Sequence, residues 1–320
     1  MKSGFPSLRL ATRGSPLALW QARRVADRLA EQGVVATLEV VETEGDRRTE
    51  VPIHALAGQG VFVKEVQAAV ARGDADAAVH SAKDLPAADR NAVPGLTLVA
   101  FPERADPRDL LVGAHLHTLS TGALVATGSA RRRVQLANLR PDLLFTDLRG
   151  NLATRLAAVD RVSAVVVAAA GVDRLGWTPP PGLELDRLHP SVMLPQVGQG
   201  VLAVECRADD TVTVGVLTAI DDVGVRRTVE AERAFLAKLG GGCTQPVGAH
   251  AVLDTDGSLR LTGMLAGDDG RVVLRHTSTG ADPAALGRAV ARYLLDDAGG
   301  TELGEWRGSN APTASEAPVV

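Results

Sequence analysis

Aromatic residues make up only 3% of this 320-residue chain, which has just two cysteines, Cys206 and Cys243, and four lysines. Two cysteines cannot form a disulfide framework for a chain this long, nor by themselves a four-ligand zinc site. A strong charge of one sign is also missing. The net charge of −4 gives nucleic acid no general reason to bind, so any anion site must come from local clusters. No apolar run reaches membrane length, the longest lying near Ala164 to Val172. Arg9, Arg13 and Pro16 interrupt the N-terminal stretch where a signal peptide needs an apolar core. The expectation is a cytoplasmic chain with no metal, no nucleic-acid partner and no membrane partner. With no exposed apolar stripe to announce an interface, a monomer is the default.

What is present is enough apolar residue, 45%, to fill two or three cores, the number this length suggests. Strand-like and helical patterns alternate from Ser7: a strand to Thr12, Ser15 and Pro16 as a helix start, a helix from Leu17 to Glu31, and a β-branched run from Val35 to Glu42. An amphipathic helix over Val61 to Arg72 and apolar strands Ala75 to His80 and Leu96 to Phe101 follow. Strands separated by helices imply parallel pairing. After the polar stretch Glu103 to Asp109 a second such block begins, with strands Ala123 to Ala126, Leu143 to Leu148 and Ala164 to Ala169. The apolar run from Val201 to Glu205 lacks a helix of its own block and fits a return to the first sheet. Beyond it we expect a long helical segment from Thr211 to Leu239, a three-strand meander over Ala249 to His276 and a helix from Pro283 to Asp296. The fold class is α/β, two α/β domains plus a small C-terminal α+β domain. Expected boundaries are 1–103 with 200–218, 104–199, and 219–300, followed by a flexible tail, 301–320.

Placement of charge carries more than its total. Six arginines (131, 132, 133, 140, 149 and 155) and two acids lie between Ser129 and Arg155, a local excess of four positive charges on an acidic chain. Arg133 and Arg140 read as a solvated helix face. Arg131, Arg132, Arg149 and Arg155 fall near the carboxyl ends of predicted strands, where α/β clefts open, and suit a small polyanion. Ser129 heads a helix whose free amides add to the attraction. Asp84 follows an apolar strand in His80-Ser81-Ala82-Lys83-Asp84-Leu85-Pro86; catalytic groups occupy such places, and so do ordinary turns with an ion pair. Cys243 follows three glycines, which suits either an exposed nucleophile or attachment point, or a small thiol in a tight packing turn. Cys206, inside an apolar run, reads as core. The long segment Glu44 to Gly60 reads as a lid or a connector.

Together these residues resemble the porphobilinogen deaminase family from about Leu8 to beyond Gly248. The matching motifs include Ala11-Thr12-Arg13-Gly14-Ser15-Pro16-Leu17-Ala18, His80 to Pro86, Asp106-Pro107-Arg108-Asp109, Ser129-Ala130-Arg131-Arg132, Leu148-Arg149-Gly150-Asn151, Gly198-Gln199-Gly200 and Gly241-Gly242-Cys243. The resemblance implies two periplasmic-binding-protein-like α/β domains and a third domain bearing a dipyrromethane cofactor, joined by a thioether to Cys243. Four porphobilinogen units are added head to tail with loss of ammonia, and hydroxymethylbilane is released. It implies Asp84 as the catalytic group, and Lys83, Ser81, Thr127, Ser129, Arg131, Arg132 and Asn151 around the cofactor. Arg13, Ser15, Arg149, Arg155, Arg174, Gln199 and Lys64 are implied for substrate. In one departure, Gln59 stands where family members often carry Lys, which leaves Lys64 to supply any cationic contact from that side.

Two α/β lobes around an Arg-lined cleft also describe an anion-binding protein. The lack of a signal peptide, the third domain and Cys243 argue against it. A DNA-binding regulator would need a helix-turn-helix that the chain does not offer.

Overall fold

The computed structural model describes residues 7–43, 63–87, 93–240, 245–303 and 306. Two five-stranded sheets share one design. The first contains β1 (Ser7–Arg13), β2 (Val35–Val41), β3 (Ala77–Ser81), β4 (Leu96–Ala100) and, far along the chain, β10 (Leu202–Arg207), in the order β2-β1-β3-β10-β4. The second contains β5 (Asp109–Gly113), β6 (Leu124–Ala126), β7 (Leu144–Thr146), β8 (Ala164–Ala168) and β9 (Glu184–Leu188), in the order β7-β6-β8-β5-β9. In each sheet four strands run in one direction, and one guest strand is inserted antiparallel to its neighbours. The guests are β5 and β10, each directly after a passage of the chain between sheets.

Those two passages lie side by side. Ala105 N–H donates to Gly200 O at 2.9 Å and Leu202 N–H to Glu103 O at 3.3 Å. Gly200 has φ +87, and a Cβ there would sit 2.5 Å from Ala105 O, so the close approach requires glycine.

Local signals explain the helices. In α1 (Pro16–Ala30) Ser15 caps the first turn, its side chain accepting from Ala18 N–H, with Pro16 at the first helical position. Its buried residues Gln21, Ala22, Val25 and Leu29 make one stripe against the first sheet. Helix α2 (Lys64–Arg72) stops at Gly73, φ 84. Ser129 caps α3 (Ala130–Leu139) and Asn151 caps α4 (Leu152–Ala157); α5 (Ala169–Arg174) follows β8 directly. The core of the first sheet centres on Leu10, Leu29, Leu202 and Val204, and includes Cys206 as expected. Burial pushes that thiol up to about 11.

The structure departs from the sequence pattern in three places. The guest strands are antiparallel where helix-strand alternation implied parallel pairing. Strands β5 and β9 were not anticipated: β5 opens on a charge that reads as linker, and β9 (Glu-Leu-Asp-Arg-Leu) is rich in charge. The expected long helix is two, α6 (Thr211–Thr218) and α7 (Val223–Leu239). Asp222 caps the second of these, its Oδ1 accepting from Val225 N–H at 2.9 Å, while Asp221 Oδ1 accepts from Phe101 N–H at 2.7 Å. Paired acids that satisfy orphan amides favour a break over a continued helix.

The third sheet is an antiparallel meander of β11 (Val247–Leu253), β12 (Leu259–Ala266) and β13 (Val273–Gly280). Its inner face packs on α7 and α8 (Pro283–Arg292) around Phe235, Leu261, Val290 and Leu294. Trp306, in the stretch expected to lack structure, is buried in this core, and its Nε1–H donates to Ala266 O at 3.1 Å. Among the described residues no helix is long and apolar enough to cross a membrane.

Candidate functional site

Asp84 closes a short 3-10 turn, Ala82–Asp84, at the carboxyl end of β3. The second interdomain passage holds that turn in place. Ala82 N–H donates to Val201 O at 3.0 Å, and Gln196 Nε2 donates to Lys83 O at 3.2 Å. Gly198, φ +70, lies so close that a Cβ would be 3.0 Å from Ala82 Cβ and 3.2 Å from Lys83 N. Ser81 Oγ accepts from Gln21 Nε2 at 2.8 Å. Beneath the turn, buried His80 Nε2 meets Glu205 Oε1 at 2.7 Å, and Gln67 Nε2 donates to Glu205 Oε2 at 3.1 Å.

Half-buried Asp84 sits among cations brought from both sheets. Burial pushes the Lys83 ammonium down to about 8; Arg132 and Arg155 push the same way, against Asp84 and Asp109. Burial likewise pushes Arg155 down to about 10, helped by Arg132, Arg149 and Arg13 and opposed by Asp84. Arg13 ends β1 in the first sheet, whereas Arg149 and Arg155 follow β7 in the second. Their mutual influence means that the carboxyl edges of the two sheets face one another, the place where α/β folds bind ligands. Arg155 is aimed by its own chain, with Nε–H donating to Gly150 O at 2.8 Å.

Arg131 and Arg132, at the head of α3, converge on Asp109, the fully buried first residue of β5. Arg131 donates from Nη1 to Asp109 Oδ2 at 2.7 Å and to Leu194 O at 2.6 Å, and from Nη2 to Asp109 Oδ1 at 3.2 Å. Arg132 reaches Asp109 Oδ1 from Nε at 2.9 Å and Val166 O from Nη1 at 2.9 Å. Gln199 Nε2 adds a 3.0 Å bond to Asp109 Oδ1. Burial alone would raise the Asp109 carboxyl, yet Arg131 and Arg132 hold it well below the usual range. The Arg131 Nε stays buried with no hydrogen-bond partner among the described residues. Thr127 is buried beside them, Oγ1 accepting from Ser129 N–H at 3.2 Å. A pocket opens here against the third sheet, lined by Ser129, Arg131, Gln196, Leu236, Gln245 and Val247.

The remaining expected residues are more dispersed. Ser15 and Asn151 serve as helix caps, Asn151 Oδ1 accepting from Thr154 N–H and Oγ1 at 3.0 and 3.1 Å. Arg174 lies at the hinge, the paired passages between the two sheets, donating to Gly200 O at 2.8 Å with its guanidinium 5.5 Å from the Trp20 ring centroid. Lys64 is exposed at the start of α2. Cys243 and Gln59 lie outside the described residues; Gly240 and Gln245 flank the Cys243 segment. Arg133 pairs with Asp147 at 2.8 Å and Arg140 with Asp142 at 2.6 Å, both on accessible surface.

Sequence reasoning assigned no role to Asp109 or to the buried His80–Glu205–Gln67 group. The signal available was an acid opening an otherwise apolar strand, Asp-Leu-Leu-Val, since a carboxylate buried there demands cationic partners.

Comparison with known proteins matches residues 8–214 to the porphobilinogen deaminase, dipyromethane cofactor binding domain, and residues 226–296 to the porphobilinogen deaminase, C-terminal domain. Porphobilinogen deaminase of Roseiflexus castenholzii is 45% identical over 305 residues, 93% of this chain and 98% of the relative. That of Brevibacillus brevis is 42% identical over 305 residues, covering 93% and 96%. That of Acidothermus cellulolyticus is 45% identical over 299 residues, covering 90% and 88%. A periplasmic substrate-binding protein of an ABC transporter from Coxiella burnetii overlaps 68% of this chain and 94% of its own at 14% identity, with a TM-score of 0.40, too loose an overlap to bear on function.

Proposed function

The chain belongs to the porphobilinogen deaminase family, transferases that condense four porphobilinogens head to tail with loss of ammonia and release hydroxymethylbilane; from that premise we propose how its own residues divide the work. The observation that carries the division is one carboxylate, Asp84, within electrostatic reach of Lys83 and Arg155, the latter itself within reach of Arg132, Arg149 and Arg13.

Porphobilinogen carries an acetate and a propionate on a pyrrole with an aminomethyl arm. Arg13, Arg149 and Arg155 bind those carboxylates through charge-assisted hydrogen bonds, with Ser15 adding a neutral one. Asp84 acts on the reacting ring. As an acid it protonates the departing amine, and as a carboxylate it faces the ring N–H, where positive charge develops when ammonia leaves. Gln199, Arg174 and Lys64 complete the substrate set, Arg174 from the hinge.

The residues at the head of α3 carry the cations a polycarboxylate group needs, and Arg131 keeps a buried Nε with no partner among the described residues. We assign Arg131, Arg132, Lys83, Ser81, Thr127, Ser129 and Asn151 to hold the dipyrromethane, and Cys243 to attach it by a thioether. Gln245, two positions beyond Cys243, lines the same pocket as Ser129 and Arg131. When bound, the dipyrromethane supplies the pyrrole terminus on which the chain of substrate units is built. We assign the units to residues 1–103 with 200–218, 104–199 and 219–300. We further propose a monomer acting in the cytoplasm, where reducing conditions keep Cys243 a thiol until the thioether forms.

Intact-protein mass spectrometry of the chain beside Cys243→Ser tests this. The expected result is a mass excess of two porphobilinogen units less two ammonias, absent from the variant. A chain that stays unmodified after incubation with porphobilinogen removes Cys243 from the chemistry and favours plain anion binding.

A further inference from the structure

The third sheet is fastened to α3 by an arginine with no acidic partner among the described residues. Arg275, on β13, donates from Nη1 to Ser191 O, and from Nη2 to Gln135 Oε1 at 2.6 Å and Val192 O at 3.1 Å. Its partners are two carbonyls and an amide oxygen, all outside the third sheet. Burial pushes this guanidinium below its ordinary value. As a whole residue Arg275 is exposed on β13 and makes no ion pair among the described residues, so the reason for its placement must come from the groups it joins.

Gln135 supplies it. Its buried side chain accepts from Leu194 N–H at 2.8 Å and donates to Leu194 O at 3.1 Å and Arg131 O at 3.2 Å. Leu194 O is also the acceptor that Arg131 Nη1 reaches at 2.6 Å. One amide thus joins Arg275, the 191–195 segment and the turn of α3 that carries Arg131. The third sheet approaches the same spot: Ala249 N–H donates to Pro195 O at 3.0 Å, and a Cβ on Gly248 would lie 2.8 Å from Pro195 O and 3.3 Å from Arg131 Cδ. A second clasp lies further along α3, where Asn138 Nδ2 donates to Gly270 O at 3.2 Å, without touching Gln135.

We propose that Arg275 is a positioning residue for the condensation: through Gln135 and Leu194 it sets the angle of Arg131 against the third sheet. The inference rests on the reading above, in which the third unit carries the cofactor thiol while the head of α3 grips cofactor carboxylates. Two anchors on different units must keep a fixed separation, and misplacement of about 1 Å can cost on the order of a hundredfold in rate.

The test compares Arg275→Leu, Arg275→Lys and Asn138→Ala with wild type. It measures the rate at which cofactor-free chain gains the two-pyrrole mass increment, kcat and KM per holoenzyme, and thermal midpoint. We expect Arg275→Leu to slow uptake and lower kcat by about tenfold or more with KM changed less than about twofold, because the brace does not touch substrate. Arg275→Lys, whose ammonium can still serve Gln135 Oε1 and Val192 O, recovers most of the loss, and Asn138→Ala stays within about twofold of wild type. The proposal is overturned if Arg275→Leu lowers only the thermal midpoint, or if Asn138→Ala reproduces its kinetic loss. A wild type that never gains the increment instead removes the Cys243 reading, and the Arg275 proposal falls with it.

Discussion

Replacing Asp109 by Asn tests the electrostatic centre of this molecule. The carboxylate is fully buried and takes bonds from Arg131, Arg132 and Gln199 between 2.7 and 3.2 Å. The amide keeps the shape but loses the charge, and its NH₂ would face guanidinium N–H groups, donor against donor. Two buried guanidiniums would then lack their counter-ion. Breaking a buried ion pair from one side costs about 3–5 kcal/mol, against about 5–15 kcal/mol for the whole stability of a typical protein. The molecule supplies its own control on the same helix: Arg133 and Asp147 also meet at 2.8 Å, but with side chains 43% and 61% exposed. Asp147→Asn should cost less than about 1 kcal/mol. Urea unfolding of both variants, with cofactor uptake followed by mass, is the assay. Acid does not imitate the substitution. The folded-state carboxyl titrates below its unfolded value, so its stabilisation is fully present above the unfolded value and is lost only as pH falls through the lower folded one. An Asp109→Asn chain within about 1 kcal/mol of wild type would refute the argument that Arg131 and Arg132 depend on this anion.

Two further outcomes follow. Because burial pushes Lys83 down to about 8, the rate at which cofactor-free chain takes up the two-pyrrole group should fall as pH rises through that value, and Lys83→Arg should move the limb to higher pH; an unchanged limb rejects Lys83 as a carboxylate partner. Its folded-state value lies below the unfolded one, so stability rises between about 8 and 10.5 and unfolding is not the cause of that limb. Gly198→Ala forces a left-handed alanine, itself costing about 1–2 kcal/mol, into Ala82 and Lys83. It should cut turnover well beyond its effect on the urea midpoint, whereas Gly122→Ala, with similar φ but nothing within 4 Å, should lose only stability; equal activities in the two variants would contradict the assignment of Gly198 to the Asp84 turn.

Much of the outline was legible because its causes are local. Ser15-Pro16, Ser129 and Asn151 announce helix starts through contacts three residues away, and apolar runs such as Ala77 to His80 announce buried strands. The motif residues Asp84, Lys83, Arg131, Arg132, Arg149 and Arg155 mark the family by their order along the chain. What they do not state is which partner each one meets. Arg131 and Arg132 read as free forks for a ligand, yet the fold first gives them to Asp109, 22 and 23 residues away. Arg174 reads as one more cleft cation, and the fold sets it at the hinge against Gly200 O and Trp20.

The sequence by itself determined the helix starts at Ser15, Ser129 and Asn151, the meander, the return of the Val201 to Glu205 run to the first sheet and the chemistry available to the site, because period, caps and composition act within a few residues. Only the tertiary structure decided that β5 and β10 enter as antiparallel guests, that Gly198 leaves room for the Asp84 turn, and that Arg275 reaches Gln135, 140 positions away. The physical reason is that a buried charge must be compensated by some partner, while neither its own position nor its neighbours in the chain say which.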